Sequence, residues 1–104
     1  MSLFRRTKQV AESGVEGTTP IGEAASRSNV TIAGQIVRMQ FRPTSELPTM
    51  IISIRDTTGT AIATWTGRRE LGGIALGRKI KITGVGATTS GLLTFVNPEY
   101  ELLA

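Results

Sequence analysis

Val30-Thr31-Ile32-Ala33-Gly34-Gln35-Ile36-Val37-Arg38-Met39-Gln40-Phe41 carries two strand patterns that are out of phase by one residue. Val30 and Ile32 alternate with Thr31 and Ala33, but beyond Gly34 the apolar phase moves to Val37, Met39 and Phe41. A strand repeats its faces every second residue, so a one-residue slip at a glycine reads as a β-bulge. A bulge lets a long strand curl around a barrel. The stretch predicts a curved first strand with Val37, Met39 and Phe41 inward and Arg38, Gln40 and Arg42 outward.

The strand pattern continues downstream. Arg42–Pro48 is a loop set by two prolines, and Met50, Ile52 and Ile54 then alternate with Ile51, Ser53 and Arg55 in a half-buried second strand. Asp56-Thr57-Thr58-Gly59 is a hairpin turn. Ala61, Ala63 and Trp65 share one face of the third strand; Ile62, Thr64 and Thr66 share the other. Gly67–Gly77 is too rich in glycine for a stable helix. Ile80 and Ile82 mark a fourth strand whose far end Gly84 and Gly86 loosen, and Thr89-Ser90-Gly91 turns into a fifth, Leu92–Asn97, stopped by Pro98. Five short strands with closely spaced turns form a small barrel or sandwich. The long bulged first strand favours the barrel, because closure removes exposed edges.

Upstream, Leu3, Phe4, Thr7, Val10 and Ala11 recur at helical spacing, which predicts a short amphipathic helix over Ser2–Ser13. Gly14–Gly17 separates it from Thr19-Pro20-Ile21, where a capping hydroxyl precedes a proline and one further helical turn is expected at Pro20–Ala25. The expected organisation is an N-terminal helix and linker over 1–18, then a barrel domain over 19–104.

Composition narrows the function. At 104 residues the chain has room for one core. It has no Cys and no His, which excludes a disulfide framework, a zinc cage, a thiol nucleophile and a Ser-His-Asp triad. No pair of carboxylates has the placement of acid–base work, and Asp56 is accounted for as a turn residue. The expectation is a protein that is not an enzyme and takes no cofactor. Gly72–Lys79 approaches a phosphate-binding loop, but Arg78 replaces its Lys, and a strand follows where a helix is required. The apolar run Met50–Ile54 is too short to span a membrane, and the first eight residues lack the apolar region of a signal peptide. A cytoplasmic protein with no membrane contact is expected.

The net charge of +4 is unevenly placed. Between residues 24 and 96, Arg27, Arg38, Arg42, Arg55, Arg68, Arg69, Arg78, Lys79 and Lys81 stand against Glu46, Asp56 and Glu70, a net +6. Basic charge concentrated on one body favours polyanionic partners, since each neutralised phosphate releases counterions.

Four segments carry a family resemblance. Val30–Val37 looks like the first strand of an OB-fold nucleic-acid-binding domain, and Asp56-Thr57-Thr58-Gly59 before Ala61–Trp65 resembles that fold's D-x-[ST]-G turn. Gly72–Gly77 resembles a P-G-I-x-x-G connection, with Gly72 where the family more often has Pro. Asn97-Pro98-Glu99-Tyr100-Glu101 resembles an N/H-P-x-Y-E closing motif. Together, over about residues 19–102, they are similar to small actinobacterial OB-fold proteins and to the wedge domain of RecG-type DNA helicases. The resemblance implies an all-β, five-stranded OB-fold Greek-key barrel that binds single-stranded DNA or RNA, or serves as a protein-contact module.

On that fold the face of the second and third strands holds the ligand. Alternation places Arg38, Gln40, Arg42, Arg55, Thr64 and Thr66 outward around it, and Arg68 and Arg69 follow the third strand directly. These arginines form a track for phosphates, although long basic side chains on an outer face also simply solvate. Trp65 is in phase with the core but sits at the strand end, where it either caps the barrel or reaches the ligand. Lys79 and Lys81 read as solvated. Few rings are left for stacking, so binding is expected to be weak and salt-sensitive. The competing expectation is self-association or a larger protein partner, contacted through the barrel edges or through Leu3, Phe4 and Val10.

Overall fold

The computed structural model describes residues 17–42, 47–67 and 71–104. Six strands follow in order: β1 (Asn29–Arg42), β2 (Thr49–Arg55), β3 (Thr60–Thr66), β4 (Lys79–Thr89), β5 (Leu92–Val96) and β6 (Glu99–Leu103). A 3-10 turn, Ile21–Glu23, precedes them where Thr19-Pro20-Ile21 predicted a helical turn. The expected Ser2–Ser13 helix lies outside the described residues.

The strands pair in the order β1-β2-β3-β5-β4, and β4 returns to β1, so five strands close in a ring. β3 and β5 run parallel; the other pairs are antiparallel. The fold is all-β and compatible with the expected OB-like barrel. β1 is long enough to be shared. Its Asn29–Gln35 half pairs with β4 and its Gln35–Arg42 half with β2.

The bulge in β1 lies between Ile36 and Arg38, at Val37 and three residues beyond Gly34, where the sequence places it. Val37 is the extra residue and is 37% exposed, so its expected inward position is corrected; Ile36 occupies the core instead. Gly34 has a different task. A Cβ there would stand 2.7 Å from the Arg55 carbonyl oxygen, so the missing side chain lets β1 pass close to β2. Ile36 also ties the bulge to the entrance of β4: its N–H donates to the Arg78 carbonyl at 2.9 Å, and its carbonyl accepts from Gly77 N–H at 2.8 Å.

Phe41 is the second correction. It shares the inward phase with Met39, yet it is 47% exposed. β4 covers β1 only as far as Gln35, so the end of β1 projects beyond the closed ring, and among the described residues no strand packs over Phe41.

Strand pairing does not stop at Pro98. The β4–β5 register runs to Gly86↔Phe95 and the β4–β6 register begins at Thr83↔Glu99. Val96-Asn97-Pro98 therefore faces Gly84-Val85, three residues against two, which is a second bulge. Asn97 makes it possible. It adopts φ 52°, a left-handed conformation that Asn tolerates better than most residues. Its N–H donates to the Thr64 carbonyl at 2.7 Å, and its side-chain oxygen accepts from Thr66 N–H at 3.0 Å. β4 runs through Gly84 and Gly86 to Thr89.

Ile32, Ile36, Ile52, Ile54, Ile80, Ile82, Trp65 and Phe95 are fully buried and form the core. Each such side chain contributes roughly 1.5–3 kcal/mol over its exposed state. Ile21 closes one end of the barrel from the 3-10 turn. The Asp56–Gly59 turn holds that plug in place: Ile21 N–H donates to Asp56 Oδ2 at 2.9 Å and Gly22 N–H to Thr58 Oγ1 at 2.8 Å.

Candidate nucleic-acid interface

The outer face of β1, β2, β3 and β5 is a grid fixed by strand register. One row reads Arg38–Ser53–Ile62–Thr94, the next Gln40–Ile51–Thr64–Val96, and the third Arg42–Thr49–Thr66. Arg55 pairs with Thr60 at the edge of the same face. The structure thus brings Arg38, Gln40, Arg42, Arg55, Thr64 and Thr66 onto one surface. It does so because the bulge at Val37 puts Arg38, Gln40 and Arg42 in phase with Ser53, Ile51 and Thr49.

The charge on this face is one-sided. Arg38, Arg42 and Arg55 are exposed, and none is ion-paired with another described residue. β3 and β5 carry no charged side chain at all; their outward positions are Thr60, Ile62, Thr64, Thr66, Leu92, Thr94 and Val96. A basic margin beside a hydroxyl-rich, half-apolar floor offers phosphates one side and uncharged groups the other. Arg68 and Arg69 lie outside the described residues.

Trp65 does not join the face. It is fully buried, its indole N–H donates to the Pro98 carbonyl at 3.0 Å, and Tyr100 meets it edge-on with ring centroids 5.5 Å apart. Tyr100 in turn donates from its hydroxyl to the Gly72 carbonyl at 3.2 Å. Asn97, Pro98 and Tyr100 thus enclose Trp65 and link β3 to the connection before β4. Of the two roles open to Trp65 in the sequence, the core role is the one it occupies.

Lys81 pairs with Glu101 at 3.0 Å across β4 and β6, and Lys79 stands in one cross-strand row with Gln35 and Arg55. Asp56 serves the turn. Burial pushes its carboxyl upward, but hydrogen bonds from Ile21 N–H, the Thr58 hydroxyl, Thr58 N–H and Gly59 N–H outweigh that and hold it below the ordinary aspartate value. Sequence reasoning missed the apolar part of the surface. Val85 and Val96 are 60% and 67% exposed, and Phe41 stands at the free end of β1. Both valines stand on the outward phase of regular alternation, Val85 with Lys79, Lys81 and Thr83 and Val96 with Leu92 and Thr94, so period-two reading of β4 and β5 was the signal that could have found them.

No protein-family model and no curated protein matches the chain. Among solved structures, the fold is similar to a structure of RecG bound to a three-way DNA junction, with a TM-score of 0.54 and 16% sequence identity. The match covers 93% of this chain and 16% of that one, so this chain corresponds to a small part of the larger protein's length. The likeness is one of fold. Among the described residues, no helix is long and apolar enough to cross a membrane.

Proposed function

We propose that this chain is a non-catalytic, cytoplasmic nucleic-acid-binding OB-fold protein that contacts single-stranded DNA or RNA through the arginine-edged face of its barrel. The observation that carries the reading is the register that places Arg38 and Arg42 on β1 and Arg55 at the end of β2 around an otherwise uncharged β2–β3 floor. Phosphates lie against the guanidiniums, which form charge-assisted and bidentate hydrogen bonds. The sugar and base side of the strand lies over Ile51, Thr64 and Ile62. The fold's likeness to RecG, seen there on a DNA junction, agrees with this reading. The outer face of β1, β2, β3 and β5 presents no aromatic ring to stack bases, so affinity comes mainly from phosphate contacts and falls with salt.

The test is fluorescence polarisation of a labelled single-stranded oligonucleotide against the full chain. Binding at 50 mM salt that weakens at least about tenfold by 200 mM supports the proposal. Absence of binding at 50 mM, with a self-associated species in sedimentation, would favour the protein-contact alternative.

A further inference from the structure

The exchange of partners along β4 leaves an opening in the barrel wall. Where β4 leaves β5 and takes up β6, a groove of about 410 Å³ is lined by Asn29, Thr83, Val85, Val96, Asn97 and Glu99, with Gly84, Phe95 and Pro98 also contributing. Its volume is within the range of small-molecule sites, roughly 300–1,000 Å³. Its apolar walls, Val85 and Val96, are among the most exposed hydrophobic side chains described.

The groove is continuous with the arginine-edged face. Val96 is the last member of the row Gln40–Ile51–Thr64–Val96, three strand spacings from β1. At about 4.8 Å per strand that is on the order of 14 Å, within reach of the roughly 4–16 nucleotides that one OB fold takes up. The polar chemistry changes sign along this path. The β1 margin is cationic, whereas the groove holds one carboxylate, Glu99, and no basic side chain. A carboxylate repels phosphate and accepts hydrogen bonds from exocyclic amino groups, as on cytosine N4; thymine offers a carbonyl at that position.

We propose that this groove is a nucleobase subsite that holds one unstacked base between Val85 and Val96 and, through Glu99, selects an amino-bearing base over thymine or uracil. The inference rests on the nucleic-acid reading of the arginine-edged face and adds to it a place for a base and a preference. Phosphates stay on Arg38 and Arg42, and the chain crosses the threonine floor to deliver one base into the groove. Asn29 and Thr83 supply further hydrogen-bonding groups at its rim.

The experiment compares short labelled oligo(dC), oligo(dT) and an abasic oligomer of equal length at neutral pH and 50 mM salt, using the full chain. Oligo(dC) is expected to bind about tenfold tighter than the abasic oligomer and at least about threefold tighter than oligo(dT). Glu99→Gln should bring oligo(dC) and oligo(dT) to the same affinity. Val85→Ser with Val96→Ser, both at exposed positions, should weaken oligo(dC) and leave the abasic oligomer unchanged. Equal binding of all three oligomers by the wild type, or an unaltered preference in Glu99→Gln, overturns the subsite while leaving the phosphate track standing. Failure of every oligomer to bind overturns both.

Discussion

The indole nitrogen of Trp65 and the carbonyl of Pro98 are joined by a 3.0 Å hydrogen bond inside the barrel. That bond gives the buried N–H a partner and anchors the second bulge, at the point where β4 exchanges β5 for β6. Trp65→Phe removes the donor and leaves the Pro98 carbonyl without it, so a loss of about 1–3 kcal/mol in unfolding free energy is expected from denaturant titration. Because the ring is fully buried, wild-type tryptophan emission should remain blue-shifted and resist iodide quenching with or without saturating oligonucleotide. Emission that becomes quenchable or shifts red on binding would contradict the core assignment.

The turn carboxylate predicts a pH dependence. Asp56 accepts four hydrogen bonds and titrates below its unfolded value, near 3.9. A depressed folded pKa stabilises the native state above the unfolded pKa, and this contribution is lost as pH falls from there through the folded value. Asp56→Asn turns one acceptor into a donor facing the N–H of Ile21 or of the Thr58–Gly59 turn. The variant should lose roughly 1–3 kcal/mol at neutral pH and show a flatter stability profile below about pH 4. Thermal melts from pH 2.5 to 7 measure both.

Two glycines separate close backbone packing from open loop. Gly34→Ala would drive a Cβ to 2.7 Å from the Arg55 carbonyl and 2.8 Å from Ile54, beside the closure of β1 on β2. A loss of about 2 kcal/mol or more is expected. Gly72→Ala meets nothing within 4 Å, and Gly72 has no positive φ, so its effect should stay within about 0.5 kcal/mol. Equal effects of the two substitutions would show that β1 and β2 are not packed as described.

The alternation of Ile52 and Ile54, of Ala61, Ala63 and Trp65, and of Ile80 and Ile82 was legible because each run keeps one phase from end to end. The position of the β1 bulge was not. Ile36 and Val37 are adjacent and both apolar, so either fits the core pattern, and only the Gly77-Arg78 connection, hydrogen-bonded to the backbone of Ile36 from the other side, distinguishes them. Phe41 was misread for a related reason: alternation gives the phase of a residue but not whether a strand lies opposite. The continuation into β6 was hidden by Pro98, whose missing N–H suggests a stop, whereas Asn97 satisfies β3 with its own backbone and side chain. On the candidate face, Arg38, Gln40, Arg42, Arg55, Thr64 and Thr66 were legible from phase alone. The exposed valines follow the same alternation, Val85 after Lys81 and Thr83 and Val96 after Thr94; what alternation did not give is that they meet at one groove where β4 exchanges partners.

The central claim is that Arg38, Arg42 and Arg55 form a phosphate track, and the salt dependence of binding measures it most directly. On single strands each neutralised phosphate contributes a slope of roughly −0.7 in log affinity against log salt, so three contacts give about −2. The wild type should show a slope at least that steep between 50 and 200 mM salt. The Arg38→Gln, Arg42→Gln, Arg55→Gln triple variant, with an unchanged circular dichroism spectrum, should bind far more weakly and lose about two units of slope. A triple variant that folds and keeps the wild-type affinity and slope would place the nucleic-acid contact elsewhere and contradict the account.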